Sequence, residues 1–161
     1  MAAAPWLDEE EMRAWRTLVQ VSVRLIERLD DELVAASGLS LADYEVLVHL
    51  SEAPGGQRRM SELADRTLMS RSRLTYRVNG LEAEGLVERR ACREDRRGWY
   101  AVLTATGRSR LEEAAPTHVA GVRRHMLDHV SRAELTPLTS VLGRMAEALD
   151  DSSARREQVE I

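Results

Sequence analysis

The strongest constraint on the fold is a pair of short helical patterns, joined by a tight turn, between residues 60 and 85. The first begins at Ser61 and carries Leu63, Ala64 and Leu68, which are expected to face inward. After a turn around Leu68, Ser70 is placed to cap a second helix that ends at Gly85. The buried line of that second helix is formed by Leu74, Val78 and Leu81. Two helices in this arrangement are typical of a helix-turn-helix unit.

Two β-prone segments follow the helix pair. Residues 86–91 and 99–103 are short and rich in strand-forming side chains, and the polar, arginine-rich stretch 92–98 separates them. We expect a β-hairpin with a basic tip. Another short helix, capped by Ser40 and ended by Pro54-Gly55-Gly56, precedes the pair. The sequence therefore predicts a winged helix-turn-helix head over residues 40–104.

Long amphipathic helices flank this head. Asp8 and Glu11 form a capping-box pattern at the start of a helix over residues 8–36, which ends before Gly38. Helical spacing returns over residues 105–149, where we expect Pro116 to kink or interrupt the helix. Ser131 and Glu134 form a second capping-box pattern before the last helix. The charged residues 150–161 are predicted to be a disordered tail.

The apolar stripes of residues 8–36 and 105–149 are wider than a small head can cover, so these segments are interpreted as a helical dimerisation region of a homodimer. A chain of 161 residues without phenylalanine suits helix-on-helix packing in a single domain. The predicted fold class is mainly α with a small β-hairpin wing, combining a winged helix-turn-helix head with the helical dimerisation region.

The charge is distributed unevenly along the chain. The formal net charge is −4, yet residues 57–99 contain 11 arginines and 7 acidic residues, whereas the rest contains 12 arginines and 20 acidic residues. From Arg66 to Leu81 there are four arginines and no acidic residue. A cluster of this kind favours contact with phosphates, so double-stranded DNA is the expected partner.

The ordered set of motifs over this region resembles the MarR family of transcriptional regulators. It comprises Met60-Ser61-Glu62-Leu63-Ala64, Ser70-Arg71-Ser72-Arg73-Leu74-Thr75, Leu81-Glu82-Ala83-Glu84-Gly85-Leu86-Val87, Asp95-Arg96-Arg97, and Val102-Leu103-Thr104 with Gly107. The resemblance implies a triangular dimer whose two winged heads grip adjacent major grooves, and small aromatic or drug-like effectors. Tyr76-Arg77 departs from the family, which often has an arginine and then an apolar residue there, so the base-reading residue stays open.

The candidate DNA-binding residues lie at the start and polar side of the second helix and at the wing tip: Ser70, Arg71, Ser72, Arg73, Thr75, Tyr76, Arg77, Asp95, Arg96 and Arg97. We expect Arg73 and Arg77 to project away from the buried line of their helix. Asp95 is expected to hold Arg97 extended into the minor groove, while Arg96 contacts a phosphate.

Other features favour structural roles. Cys92 is a candidate redox thiol, but the buried structural interpretation is preferred. His125 and His129 are too few for a metal site, so neither a metal nor a cofactor is expected. Aromatic residues Trp6, Trp15 and Tyr44 are interpreted as core rather than effector ligands. The effector-binding residues are unknown.

We therefore expect a sequence-specific DNA-binding regulator, in which a homodimer represses from a palindromic operator and a small effector releases it. The alternatives are a constitutive or architectural DNA-binding protein, and a thiol-based redox regulator acting through Cys92. No catalytic motif is present, so the protein is not expected to be an enzyme. Without a signal-peptide pattern or an apolar run of about 18 residues, a cytoplasmic protein with no membrane association is expected.

Overall fold

The computed structural model describes residues 5–92 and 98–157, with side chains as far as Asp150. Its elements, in chain order, are α1 (Glu9–Ser37), α2 (Leu41–Ser51), β1 (Gln57–Arg59), α3 (Met60–Arg66), α4 (Arg71–Ala83), β2 (Val87–Ala91), β3 (Trp99–Leu103), α5 (Ala105–His125) and α6 (Arg132–Glu157). Short 3-10 turns lie at Pro54–Gly56 and Leu127–His129. The chain forms two compact units that divide after Val122.

Helix α1 begins and ends where its sequence predicts. The Asp8 carboxylate accepts hydrogen bonds from the backbone N–H groups of Glu10 and Glu11, while the Glu11 carboxylate accepts from the Asp8 N–H at 2.9 Å. At the other end Gly38 adopts a left-handed conformation, with φ of 74°, and its N–H donates to the Val34 carbonyl. Both predicted caps are confirmed, and they satisfy backbone groups that a helix end leaves without a partner.

The core of the first unit centres on α2, which packs against α1, α3, α4 and the sheet. Its Val46, Leu47 and Leu50 are fully buried. Burying a leucine side chain contributes about 1.5–3 kcal/mol, so this short helix is a principal support of the head. Helix α4 adds Leu74, Val78 and Leu81 to the same core, as its spacing predicts.

The wing belongs to a three-stranded antiparallel sheet with strand order β1-β3-β2. The predicted hairpin is present, with Arg89 of β2 opposite Ala101 of β3. Strand β1, which pairs Arg58 with Ala101, was not predicted. Three residues are too short for a period-two pattern to show, so this pairing depends on tertiary contact.

A tight turn joins α3 to α4 and completes the predicted helix-turn-helix. The buried Thr67 hydroxyl donates to the Leu63 carbonyl at 2.8 Å, and the Met69 N–H donates to the Ala64 carbonyl at 3.0 Å. Between them Leu68 has φ of 53° and is 88% exposed. Leu68 was expected to face inward; its left-handed backbone directs the side chain to solvent instead.

Thr104 couples α5 to the turn between α4 and β2. Its hydroxyl accepts from the Gly107 N–H at 2.9 Å and donates to the Gly85 carbonyl at 2.8 Å. The Thr104 N–H donates to the Leu86 carbonyl at 3.1 Å. The predicted interruption at Pro116 is wrong, since α5 continues through this residue to His125.

In the second unit, Ser131 and Glu134 form part of the predicted cap. The Glu134 carboxylate accepts from both the N–H and the hydroxyl of Ser131, at 2.9 and 2.5 Å, and these bonds hold the pKa of Glu134 below its usual value. Helix α6 continues to Glu157. The tail predicted to be disordered from Asp150 is therefore helical as far as the structure describes it.

Apolar side chains are exposed on α1 and on α6. Helix α1 presents Trp15, Val19 and Ile26 at 40–56% exposure, whereas α6 presents Val141, Leu142, Met145 and Leu149 at 40–66%. Trp6 is 94% exposed. The expectation that Trp6 and Trp15 belong to the core is therefore wrong for this single chain, while Tyr44 is buried as expected.

No single helix among the described residues is both long and apolar enough to cross a membrane. Helices α1 and α2 together satisfy length and composition, but their axes are bent by 79°.

Candidate nucleic-acid interface

The start of α4 presents a polar, basic surface to solvent. The Ser70 hydroxyl caps the helix by accepting from the Arg73 N–H at 3.3 Å, and no acidic residue lies in the first turn. The exposed residues here are Arg71, Ser72, Arg73, Thr75 and Tyr76, with Tyr76 73% exposed. A helix N-terminus with two free-standing arginines attracts anions through both its backbone N–H groups and its side chains.

Arg77 does not project to solvent with these residues. One of its terminal nitrogens, Nη1, lies 3.3 Å from Asp43 Oδ2 and 3.2 Å from the Ser40 hydroxyl. Only 28% of its side chain is exposed. Arg73 and Arg77 were expected to project away from the buried line of α4. Arg73 is exposed, whereas Arg77 turns towards the start of α2, which supplies a carboxylate within its reach.

A cleft of about 640 Å³ opens between the starts of α3 and α4 and the wing. The described residues that line it include Arg59, Arg71 and Arg89, and none of these described lining residues carries a carboxylate. The hydroxyl groups of Ser61 and Thr75 also line it. Three arginines on one concave surface favour an anion, although Arg89 also lies 3.8 Å from the Glu82 carboxylate, and the cleft is continuous with the exposed start of α4.

Arg59 and Arg89 are held in place by protein contacts. The Arg59 guanidinium lies 5.7 Å from the centre of the Tyr100 ring, and its Nη2 donates to Cys92 Sγ at 3.3 Å. Arg89 Nη2 donates to the Thr75 carbonyl at 3.2 Å, which ties the wing to α4. Sequence reasoning missed both arginines; the signal for Arg89 was strand alternation, which places it on the same face as buried Val87.

The wing-tip candidates Asp95, Arg96 and Arg97 lie outside the described residues. On the described side of the tip, the Cys92 N–H donates to the Gly98 carbonyl at 2.9 Å, which closes the hairpin. Trp99 follows at 49% exposure and lines the cleft.

Cys92 is 6% exposed. Its sulfur lies behind the wing, against Arg59. Burial limits the access of oxidants to this thiol, which disfavours the alternative of a redox regulator acting through Cys92.

Tyr44 of α2 and His118 of α5 stack with ring centres 4.6 Å apart. Burial lowers the pKa of His118, against a smaller opposite effect of Glu45, and raises the pKa of Tyr44. Among the described residues, no group hydrogen-bonds to the buried His118 Nδ1. This pair is the most distinctive polar feature inside the first unit.

Within the part of the chain that the structure describes, no three potential ligands cluster as a metal site would require.

A helix-turn-helix with a sheet wing and an arginine-bearing second helix defines the class of winged helix-turn-helix DNA-binding proteins. Residues 37–98 match the model of the MarR family. Two crystal structures of MarR family regulators from Streptomyces coelicolor are similar along most of their length. AbsC is 42% identical over 92% of this chain and 99% of that chain, with a TM-score of 0.87. Sco3205, solved in complex with DNA, is 36% identical over 91% and 92%, with a TM-score of 0.88.

A curated relative, the transcriptional repressor YetL of Bacillus subtilis (strain 168), is 27% identical over 89% of this chain and 84% of its own. The chain belongs to the MarR family and is a DNA-binding transcriptional regulator, not an enzyme.

Proposed function

We propose that this protein is a repressor that binds a palindromic operator as a homodimer and is released by a small-molecule effector. The observation that carries the DNA-binding half is the exposed basic start of α4 beside the arginine-lined cleft. Helix α4 of each subunit would enter a major groove, where the side chains at its start reach base edges. The relative YetL is named a transcriptional repressor, which supports a repressor role for this protein.

The candidate contacts divide into two groups. Arg71, Ser72, Arg73, Thr75 and Tyr76 form the exposed group on α4, and Ser70 supports them as the cap. Arg59 and Arg89 join Arg71 around the cleft, where a backbone phosphate fits the charge and the space. At the wing tip we retain Arg97 for the minor groove and Arg96 for a phosphate, with Asp95 supporting Arg97.

The homodimer is supported by the exposed apolar faces of α1 and α6. Burial of such apolar surface contributes about 25 cal/mol per Å² and would favour association. The two-fold symmetry of a homodimer matches the symmetry of a palindromic site.

The DNA-binding half is tested by selecting fragments of the source genome with the purified protein and measuring affinity for the recovered site. Arg73→Ala should weaken binding by about five- to one hundredfold, as expected for a lost base or phosphate contact. Arg16→Ala, which removes an exposed arginine of α1, is the matched control and should change affinity little. Equal affinities for wild type and Arg73→Ala would refute this docking of α4.

The effector half rests on the stacked Tyr44–His118 pair, where the buried His118 Nδ1 has no hydrogen-bond partner among the described residues. A panel of small aromatic acids and phenols should contain compounds that raise the Tm and lower operator affinity. His118→Phe should abolish that Tm increase while leaving operator affinity intact. If no compound shifts the Tm, the constitutive DNA-binding alternative is favoured.

A further inference from the structure

A polar cluster joins the middle of α4 to the start of α2. The Ser40 hydroxyl donates to Asp43 Oδ2 at 2.5 Å, and Arg77 Nη1 contacts both groups from the other helix. Asp43 is 20% exposed and Arg77 is 28% exposed. This contact between Asp43 and Arg77 was not predicted, because the two residues lie 34 positions apart in the sequence.

The cluster constrains the rotation of α4 about its own axis, which apolar contacts alone constrain only weakly. Leu74, Val78 and Leu81 anchor α4 by non-directional burial, which tolerates small changes in the angle of the helix about its axis. The Arg77–Asp43 pair is directional, since the guanidinium must meet a carboxylate fixed by the cap of α2. Arg77 also follows Tyr76 directly, so the pair fixes the backbone beside the exposed group.

The opposite side of α4 is fixed by the wing. Arg89 of β2 donates to the Thr75 carbonyl at 3.2 Å. Contacts from α2 and from the wing therefore meet α4 at neighbouring residues, one on each side of Tyr76. The start of α2 is itself tied to α1, because Asp30 Oδ1 accepts from the Leu41 N–H at 2.7 Å.

We propose that Asp43 is a positioning residue for DNA recognition, which acts through Arg77 to fix the rotation of α4, and that Arg77 serves this contact instead of reading DNA. The proposal rests on the proposed docking of α4. It assigns a role in DNA affinity to a carboxylate that would otherwise repel a phosphate backbone.

The sign of the effect separates positioning from simple electrostatics. Replacing a carboxylate by an amide makes a protein less negative, so electrostatics alone predicts equal or tighter DNA binding. Positioning predicts weaker binding, because Asp43→Asn leaves a half-buried guanidinium without its counter-charge. Arg77 Nε is already buried with no partner among the described residues, which makes loss of the remaining contacts more damaging.

The experiment measures operator affinity by fluorescence anisotropy over a range of salt concentrations for wild type, Asp43→Asn, Arg77→Met and the double variant. Asp43→Asn should weaken binding about two- to fivefold, the upper part of the range for a partly exposed charged pair. The double variant should lose no more than the worse single variant. Glu45→Gln removes an exposed carboxylate from the same helix and is the matched control, with equal or slightly tighter binding expected.

The salt dependence tests the role of Arg77. If Arg77 contacts no phosphate, Arg77→Met weakens binding without changing the slope of log Kd against log salt; loss of a phosphate contact would reduce that slope by about one. Asp43→Glu keeps the charge and should recover part of the affinity, which a purely structural substitution effect would not predict. Arg77→Met leaves the Ser40–Asp43 cap in place and remains informative if Asp43→Asn fails to fold.

Two results would overturn the positioning role: unchanged or tighter binding by Asp43→Asn, or a salt slope reduced by about one in Arg77→Met. These are distinct from failure of the proposed docking, which would appear as wild-type affinity in Arg73→Ala. Failure of wild type to bind any selected fragment would overturn the docking and the positioning role together.

Discussion

Replacing Gly107 by alanine should destabilise the head, although alanine is the better helix former. Gly107 lies in the first turn of α5, where the helix crosses the turn between α4 and β2. A Cβ atom placed on this residue would lie 2.0 Å from the Leu86 carbonyl oxygen and 2.9 Å from Leu103 Cδ1. An ordinary carbon–oxygen contact is about 3.3 Å or longer, so either the helix or the Leu86 peptide must move by about 1 Å.

The magnitude follows from the contacts that this movement disturbs. The Leu86 carbonyl accepts hydrogen bonds from both the N–H and the hydroxyl of Thr104, each at 3.1 Å. Overpacking costs about 1–3 kcal/mol, and a weakened hydrogen bond costs about 1 kcal/mol more. Alanine returns about 1 kcal/mol of helix propensity. The expected net loss is about 1–3 kcal/mol, which corresponds to a decrease in Tm of roughly 2–12 °C for a chain of this size.

Thermal and urea unfolding of wild type, Gly107→Ala and Gly80→Ala test this prediction. Gly80 is the matched control because it lies inside α4 and a Cβ there would meet nothing within 4 Å. Gly80→Ala should therefore stabilise the protein by up to about 1 kcal/mol. If Gly107→Ala has a Tm equal to or above that of wild type, the close approach of α5 to Leu86 is refuted.

Three further predictions concern pH, assembly and the wing. Because burial lowers the pKa of His118, the unfolded chain takes up a proton first as the pH falls below about 6.5, so stability falls; His118→Phe should reduce this dependence by at most about 1.4 kcal/mol per pH unit in urea titrations. Ile26→Glu, on the exposed face of α1, should shift a micromolar dimer towards monomer in sedimentation velocity, and an unchanged dimer would exclude this face. Arg97→Ala should weaken binding most at operators with A·T-rich flanks, and Asp95→Ala should cause part of the same loss; equal losses at G·C-rich flanks would make Arg97 a phosphate contact.

Local signals predicted the helices well and the tertiary pairings poorly. The caps of α1 at Asp8 and Gly38 were predictable because capping depends on residues a few positions apart. Strand β1 was not, since its partner β3 lies more than 40 residues away in sequence. The interruption expected at Pro116 was wrong, since α5 continues through this residue, and the alternative of a kink stays a prediction.

In the candidate site, too, the features set by local sequence were predictable and those set by tertiary contacts were not. The Ser70 cap and the exposure of Arg73 follow from helical periodicity, and the structure has both. Arg59 and Arg89 were missed because the cleft forms only when the wing packs beside α4. Arg73 and Arg77 are four residues apart and share a helical phase, yet only one remains exposed, since periodicity carries no information about the carboxylate on α2.

The number of arginines in the sequence overstates the number that α4 presents to DNA, which changes the expected DNA-binding surface. Four arginines lie between residues 66 and 81, but Arg66 is 3.5 Å from the Glu62 carboxylate and Arg77 is engaged by Asp43. Arg71 and Arg73 are the two that remain exposed at the start of α4. The positive surface is therefore narrower along α4 than the sequence indicates. It extends sideways into the cleft through Arg71 and Arg59, whereas Arg89, on the wing, lies 3.8 Å from the Glu82 carboxylate. Substitutions that remove a charge at the cleft should therefore alter the slope of log Kd against log salt more than Arg77→Met does.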